Sequence, residues 1–257
     1  MKKKISKLYL TLVFLFLYAP IVVLVVYSFN DSKSRGTWGG FTFKWYLELF
    51  KDRDIKTALY YTVTIAVIAA VISTIVGTIS AIGIYNMKTS RMNLFLNINY
   101  LPIINPDIVT GIALMILFLS INIKLGFSTM LLAHITFDIP YVILSVLPKL
   151  KQLDKNITEA ALDLGATPLY TLRKIIIPQI KPGIITGFLI AFTLSIDDFV
   201  ISFFTTGSGV TNLSIEIYSM ARRGISPTIN ALSSLMLVVV LGLLLIINKR
   251  TTLQVKE

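Results

Sequence analysis

The chain has 257 residues, of which 55% are hydrophobic and only 14% are charged. Soluble domains average about 45–50% apolar and about 25% charged residues, so this composition indicates an all-α integral membrane protein. Cysteine is absent, which excludes disulfides and thiolate metal sites, and the single histidine, His134, excludes a cluster of histidine ligands. The net charge of +11 does not indicate nucleic acid, because the basic residues flank apolar segments instead of lining one polar face.

Six apolar segments are long enough to cross a membrane, for which a helix needs about 20 residues. The first follows a lysine-rich start, as in a signal peptide, but its apolar run is longer, so we expect a retained helix. No long repeat or linker divides residues 1–257, which predicts a single transmembrane domain. The predicted spans are about 8–28, 58–85, 94–121, 127–149, 183–204 and 231–248.

The basic residues predict that both termini face the cytoplasm. In this orientation 15 of the 24 lysines and arginines lie at the termini or in the inner loops, among them Lys88 and Arg91. An excess of positive charge in cytoplasmic loops is the usual bias of membrane proteins.

Two of the outer loops carry amphipathic segments, residues 41–50 and 212–222. The first is rich in aromatic side chains, and the second has apolar residues at helical spacing, so both are expected to form surface helices. Trp45 and Tyr46 fit an anchoring role at the membrane interface.

A polar stretch, residues 151–182, separates the fourth and fifth spans. Asn156, followed three residues later by Glu159, is typical of a helix start. Gly165 can adopt the left-handed conformation that ends this helix, and Thr167-Pro168 is typical of the start of a second one. We therefore expect two short helices at an angle, below the membrane.

Two prolines, Pro178 and Pro182, follow the second short helix. Proline has no backbone N–H and interrupts the helical hydrogen-bond ladder. These residues are expected to mark the point where the chain returns to the membrane.

The residues of this loop resemble the EAA loop of ABC-importer permeases. Glu159-Ala160-Ala161 is followed after three residues by Gly165, and after nine more by Ile175-Ile176-Ile177-Pro178, where the family usually has Leu in place of Ile177. The resemblance implies a type I importer permease, MetI-like, whose loop transmits closure of an ATP-hydrolysing subunit. It implies that the coupling is carried by Glu159, Ala160, Ala161, Gly165, Ala166 and Pro178.

No G-x-x-x-x-G-K-[ST] phosphate loop occurs in the sequence. We therefore expect no cofactor and no enzymatic activity in this chain, and we expect ATP and Mg²⁺ to bind the partner ATPase.

Four aspartates lie within or beside the predicted spans: Asp107, Asp138, Asp197 and Asp198. An aspartate at the centre of a spanning helix costs roughly 2.5–3.5 kcal/mol, so each is expected to face an interior or a water path. The central parts of the spans contain no lysine or arginine that would neutralise them. This pattern predicts a pathway for a cationic cargo.

Two of these acids have more than one interpretation. Asp107 follows two prolines that interrupt the third span, so it suits either a helix cap or a contact with cargo. Asp138 lies one turn after His134, and the two side chains can form a buried hydrogen-bonded pair.

Asp197 and Asp198 are adjacent, so on a continuous helix they point about 100° apart. Asp197 shares a stripe with Thr186 and Thr193, whereas Asp198 shares one with serines nearer the outer end of the span. We expect Asp198 to be the main contact for an incoming cation.

Several segments resemble the permease subunits of spermidine/putrescine importers, among them residues 195–204, 213–220 and 106–109. The resemblance implies polyamine import across a bacterial inner membrane. It also implies four kinds of neighbour: a homologous second permease, two ATP-binding subunits, an extracytoplasmic polyamine-binding protein and the lipid bilayer. Glu216 then suits either a contact with cargo or binding protein, or a structural role.

Two other functions fit part of the sequence. The same kind of permease can carry another cargo, such as iron, an opine or another small solute. An ion-coupled secondary carrier also uses buried acids and broken helices, but it leaves the loop at 156–178 unexplained, and no inverted repeat is evident. A catalytic role is weaker still, because His134 and the scattered aspartates form no known catalytic spacing.

Overall fold

The computed structural model describes residues 2–32, 37–223 and 227–255, and this part of the chain is almost entirely helical. The helices are α1 (Lys2–Tyr27), α2 (Lys44–Leu49), α3 (Arg53–Tyr85), α4 (Thr89–Ile104), α5 (Asp107–Ser120), α6 (Phe127–Lys151), α7 (Lys155–Asp163), α8 (Pro168–Thr171), α9 (Ile177–Asp197), α10 (Val200–Thr205), α11 (Leu213–Arg223) and α12 (Pro227–Val255). The one π-helical turn among the described residues, Leu172–Ile176, joins α8 to α9.

Five helical segments of the described chain are long and apolar enough to cross a membrane, and a sixth span results if α4 and α5 are counted together. These two helices meet at an angle of 101°. The predicted span 94–121 is therefore not one straight helix. Proline causes the break, because Pro106 cannot donate a helical hydrogen bond and biases Asn105 towards extended backbone, with ψ 141°.

The predicted span 183–204 is also interrupted. Helix α9 ends at Asp197, and α10 begins three residues later at Val200. Asp198 has an extended ψ of 127°, which turns the chain out of the helix. A glycine or proline does not mark this break, so hydropathy alone could not locate it.

The backbone stays helical from Pro168 to Asp197, so Pro178 and Pro182 do not end the second helix of the loop, and their place as the point of return to the membrane stays a prediction. The ring of Pro178 would clash with the carbonyl four residues earlier in a regular α-helix. The chain widens into the π-helical turn directly before this proline, which is the usual form of such a local adjustment. The second helix of the loop and the fifth span are thus one continuous element.

The backbone contacts group the residues into two compact units. One unit comprises Met1–Ala58 and Leu213–Gly242. Its apolar core is formed by Trp45, Leu49, Ile55, Ala58, Leu213, Ala231 and Leu232. The segments predicted as surface helices at 41–50 and 212–222 are helical, as α2 and α11, and both contribute to this core.

The other unit comprises Leu59–Asn212 and Leu243–Glu257, and α6 and α9 form its most extensive helix pair. In a bilayer, lipid tails are as apolar as leucine, so helices associate through close van der Waals packing of small residues. Gly183, Gly187 and Ala191 form such a stripe on α9, and a Cβ at Gly183 would lie 2.9 Å from the backbone oxygen of Ser145 on α6. The close approach of α6 and α9 therefore depends on these small residues.

Candidate functional site

The loop after α6 begins with α7, whose first turn is capped by Asp154. The Asp154 carboxylate accepts a hydrogen bond of 2.9 Å from the backbone N–H of Asn156. The predicted cap at Asn156 is therefore wrong by two residues, because the acidic side chain upstream reaches the free N–H groups first. Aspartate also complements the positive end of the helix dipole.

The end of α7 has the predicted geometry. Gly165 has a φ of +83°, and the backbone N–H groups of Gly165 and Ala166 donate to the carbonyls of Leu162 and Ala161, at 2.9 and 3.0 Å. This pair of bonds is the Schellman motif, which satisfies the last carbonyls of a helix. The predicted cap of the next helix is also confirmed, since Thr167 Oγ1 accepts from Tyr170 N at 3.3 Å and Pro168 occupies the first turn.

The turn between α7 and α8 presents apolar side chains to the solvent. Leu164 is 89% exposed, and Leu169 and Tyr170 are each 56% exposed. A shallow groove of about 530 Å³ lies beside them, lined by Ala161, Leu164, Gly165, Ala166, Thr167, Tyr170 and Ile175. Exposed apolar side chains next to a groove are typical of a surface that binds another protein.

The predicted coupling residues are divided between two faces of the loop. Ala161, Gly165 and Ala166 line the groove at the turn. Glu159 lines a separate cavity of about 330 Å³ together with Asp154 and the C-terminal ends of α3 and α6. Ala160 and Pro178 are exposed.

Two broken spans meet in the unit formed by Leu59–Asn212 and Leu243–Glu257. Gly111, one turn into α5, lies against Phe204 and Ile201 of α10. Discontinuous helices whose N-terminal ends approach one another are a common way of lining a site within a membrane. Asp107 is the first residue of α5 and is exposed, and its side chain makes no capping bond, so the predicted capping role is not observed.

Asp198 stands at the second break and its side chain is turned inward. One carboxylate oxygen accepts a hydrogen bond from Ser202 N at 2.7 Å, and the other accepts from Ile201 N at 3.2 Å. The side chain is only 8% exposed, and Oδ2 lies 3.6 Å from His134 Nε2. Asp198 thus caps α10, whereas its neighbour Asp197 is exposed.

His134 lies between two serine hydroxyl groups. Its Nδ1 atom is 3.1 Å from Ser195 Oγ, and its Nε2 atom is 2.9 Å from Ser202 Oγ. Ser195 Oγ in turn donates to Asp138 Oδ2 at 2.8 Å, and the Asn212 side chain donates to Ser202 Oγ at 2.8 Å. We name these five residues the His134 network. The predicted association of His134 with Asp138 is therefore mediated by Ser195.

The five side chains of the His134 network are almost completely buried. His134 is 1% exposed and Asp138 is fully buried, and Asp138 Oδ1 has no hydrogen-bond partner among the described residues. The interaction of Asp138 with cargo stays a prediction. Glu216, on α11, forms an ion pair of 3.2 Å with Arg223.

Trp45 does not have the exposed position expected of an interfacial anchor. It is 3% exposed, and its indole N–H donates to the backbone oxygen of Asn30 at 2.7 Å. Packing in the apolar core and a satisfied indole N–H explain why this large aromatic residue is internal. Tyr46 is partly buried, and its hydroxyl is hydrogen-bonded to Ser28 Oγ at 2.7 Å.

A family model described as the binding-protein-dependent transport system inner membrane component matches residues 73–251. This chain belongs to that permease family. The family is the membrane part of ABC importers, so the permease works in a complex with a separate ATPase and a binding protein. It is a transport subunit without catalytic activity of its own, and ATP is bound by the partner.

Relatives of similar length are known. The permease is 39% identical to the spermidine/putrescine transport system permease protein PotC of Escherichia coli K12, over 90% of this chain and 87% of that protein. It is 43% identical to the putrescine transport system permease protein PotI of the same strain, over 89% and 84%. PotC of Haemophilus influenzae is 38% identical over 93% of both chains.

Solved ABC importers share the fold. The crystal structure of a bacterial ABC transporter that imports alginate matches with a TM-score of 0.73 and 16% identity, over 95% of this chain and 93% of the other. The inward-facing methionine transporter MetNI matches with a TM-score of 0.62 and 17% identity, over 77% and 96%. The predicted MetI-like architecture of the permease is therefore confirmed.

Sequence reasoning missed two residues of the permease that organise its polar interior. Asn212 joins the loop after α10 to the break between α9 and α10, and the side-chain amide of Asn30 binds Ser32 N, Thr37 O and Gly39 N. Both asparagines are 1% exposed. Both lie in predicted loops, where asparagine is ordinarily a solvated turn residue, so the sequence did not indicate that they are buried.

Proposed function

We propose that this permease carries polyamines, such as spermidine or putrescine, across the bacterial inner membrane into the cytoplasm, with both termini on the cytoplasmic side. The observation that carries the proposal is its similarity, over almost the whole of each chain, to permeases named for spermidine and putrescine transport. In the complete importer the permease pairs with a homologous second permease. Two ATP-binding subunits lie on the cytoplasmic side, and an extracytoplasmic polyamine-binding protein delivers the cargo.

The coupling to ATP hydrolysis rests on the turn between α7 and α8. Its exposed apolar residues, led by Leu164 at 89% exposure, and the neighbouring groove form a surface suited to binding another protein. The Schellman motif at Gly165 fixes the angle between the two helices. Movement of the ATPase therefore reaches the spanning helices through this turn.

The acids at the two helix breaks favour a cationic cargo. Asp107 and Asp197 are exposed, one at the start of α5 and the other at the end of α9. Two carboxylates in a pathway within the membrane attract the ammonium groups of a polyamine, since the bilayer offers weak dielectric screening. Asp198 and Asp138 are internal, so in this proposal neither touches the cargo in this conformation.

The test is ATP-dependent uptake of labelled spermidine and putrescine by the complete complex in proteoliposomes. Asp107→Asn and Asp197→Asn are compared with Asp54→Asn, an exposed acid in the first turn of α3. We expect both pathway variants to raise the KM for uptake, by about tenfold for each lost carboxylate contact of roughly 1.4 kcal/mol, with Asp54→Asn unchanged. Equal KM values for all three variants would remove the two acids from the pathway. Absence of polyamine uptake by the unmutated complex would refute the assigned cargo.

A further inference from the structure

The directions of the hydrogen bonds in the His134 network follow from counting protons. Each serine hydroxyl carries one proton, and that of Ser195 is donated to Asp138 Oδ2. With Asp138 Oδ2 as the acceptor and a neutral imidazole, Ser195 Oγ accepts from His134, which assigns the imidazole proton to Nδ1. This assignment leaves His134 Nε2 as an acceptor.

The hydrogen bonds on the Nε2 side of His134 run in the same direction. Ser202 Oγ accepts from the side-chain amide of Asn212, so its own proton is available for His134 Nε2 at 2.9 Å. Each side chain then donates to the next in the order Asn212, Ser202, His134, Ser195 and Asp138. In this order both nitrogens of the neutral imidazole are satisfied, which is the condition for burying a histidine at 1% exposure.

The network also holds both sides of the break between α9 and α10. The backbone N–H of Ser202 donates to the Asp198 carboxylate at 2.7 Å, and the Asn212 side chain donates to the Asp198 carbonyl at 3.0 Å. His134 belongs to α6, whereas the groups that it holds lie on α9, on α10 and in the outer loop. His134 thus attaches the break to α6, and a second α6 residue, Thr129, donates to the Thr205 carbonyl at the far end of α10 at 2.8 Å.

We propose that His134 is a positioning residue: its bond to Ser202 fixes the break between α9 and α10 so that Asp198 stays internal and Asp197 is presented to the transport pathway. The role of Asp197 in a transport pathway rests on the proposed function, whereas the fixation of the break by His134 does not. Nothing in the proposal requires His134 to contact the cargo.

The experiment uses the absence of cysteine from the chain. Ile201→Cys places a thiol in the first turn of α10 at a site that is fully buried and outside the network, and Asp197→Cys provides an exposed reference. The complete complex in proteoliposomes is treated with a small cationic thiol reagent, and the modification of this subunit is followed over time. Each thiol is combined with His134→Gln, His134→Met or Ser202→Ala.

Gln and Met have nearly the same size as each other and are close to His in volume, but only Gln offers Ser202 a strong hydrogen-bond acceptor, since the Met thioether accepts weakly. We expect Ile201→Cys to stay protected with His134→Gln, and to react about tenfold faster with His134→Met or Ser202→Ala, the effect of losing one buried hydrogen bond. Asp197→Cys should react in every background. Equal rates at Ile201→Cys with Gln and Met would overturn the proposal, because a residue that only fills space does not distinguish these two side chains.

Measurements of polyamine uptake distinguish a failure of this inference from a failure of the proposed function. With Asp197 intact, His134→Met should raise the KM for putrescine and His134→Gln should restore it towards the normal value. An unchanged KM together with faster labelling would overturn the link to Asp197. A complex that transports no polyamine at all would refute the proposed function, and the labelling rates would still decide whether His134 fixes the break.

Discussion

Replacement of Gly165 by alanine tests the coupling turn at a single backbone position. Gly165 has a φ of +83°, and a Cβ built at this residue meets no atom within 4 Å. Alanine therefore causes no clash, and its effect is limited to the cost of left-handed backbone for an L-residue, about 1–2 kcal/mol. A cost of this size lowers the population of the docking conformation by up to about 5–30-fold.

The apparent affinity for the ATPase falls by the same factor, because only the competent conformation binds. The assay is titration of the solubilised permease complex with its ATPase subunit, followed by ATP-dependent uptake. Gly165→Asn is the matched variant, since asparagine tolerates left-handed backbone better than alanine, and it should retain most of the affinity. Normal binding by Gly165→Ala, or binding by Gly165→Asn as weak as that of Gly165→Ala, would refute the reasoning.

Three further variants test other parts of the molecule. Gly183→Ala places a Cβ 2.9 Å from a backbone oxygen of α6, so we expect the free energy of unfolding to fall by about 1–3 kcal/mol, seen as a lower Tm in detergent. The control is Gly83→Ala, whose Cβ meets no atom of the described residues within 4 Å and which should keep or raise the Tm. Leu164→Asp should abolish co-purification of the ATPase without lowering the Tm, because the side chain is 89% exposed; a normal yield of ATPase would contradict the docking surface. Trp45→Phe removes the bond to the Asn30 carbonyl and should destabilise the permease by about 1 kcal/mol in thermal unfolding, whereas an unchanged Tm would show that water replaces the indole.

The features that sequence predicted well are local. The cap at Thr167, the left-handed Gly165 and the helices α2 and α11 depend on neighbouring residues only. Hydropathy located the six apolar segments for the same reason, because crossing a bilayer is a property of about 20 consecutive residues.

The features that sequence did not predict depend on distant parts of the chain. The cap that Asp198 forms on α10 could not be predicted, because its stripe with Ser202 assumes a continuous helix, whereas α9 ends at Asp197; a contact of Asp198 with cargo stays a prediction. The inward position of Trp45 depends on Asn30, fifteen residues earlier, whose carbonyl accepts the indole N–H. The bridge from His134 to Asp138 through Ser195 joins residues more than fifty positions apart, for which one sequence offers no signal.

The uninterrupted helical path from Pro168 to Asp197 has a mechanical consequence. Thirty helical residues extend over about 45 Å, with the turn proposed to bind the ATPase at one end and Asp197 at the other. When such a segment moves as one body, a tilt of about 10° around one end displaces the opposite end by about 8 Å. In the proposed importer, a tilt imposed at the turn would then also displace the carboxylate of Asp197, whereas a bend at the π-helical turn Leu172–Ile176 would uncouple the two ends.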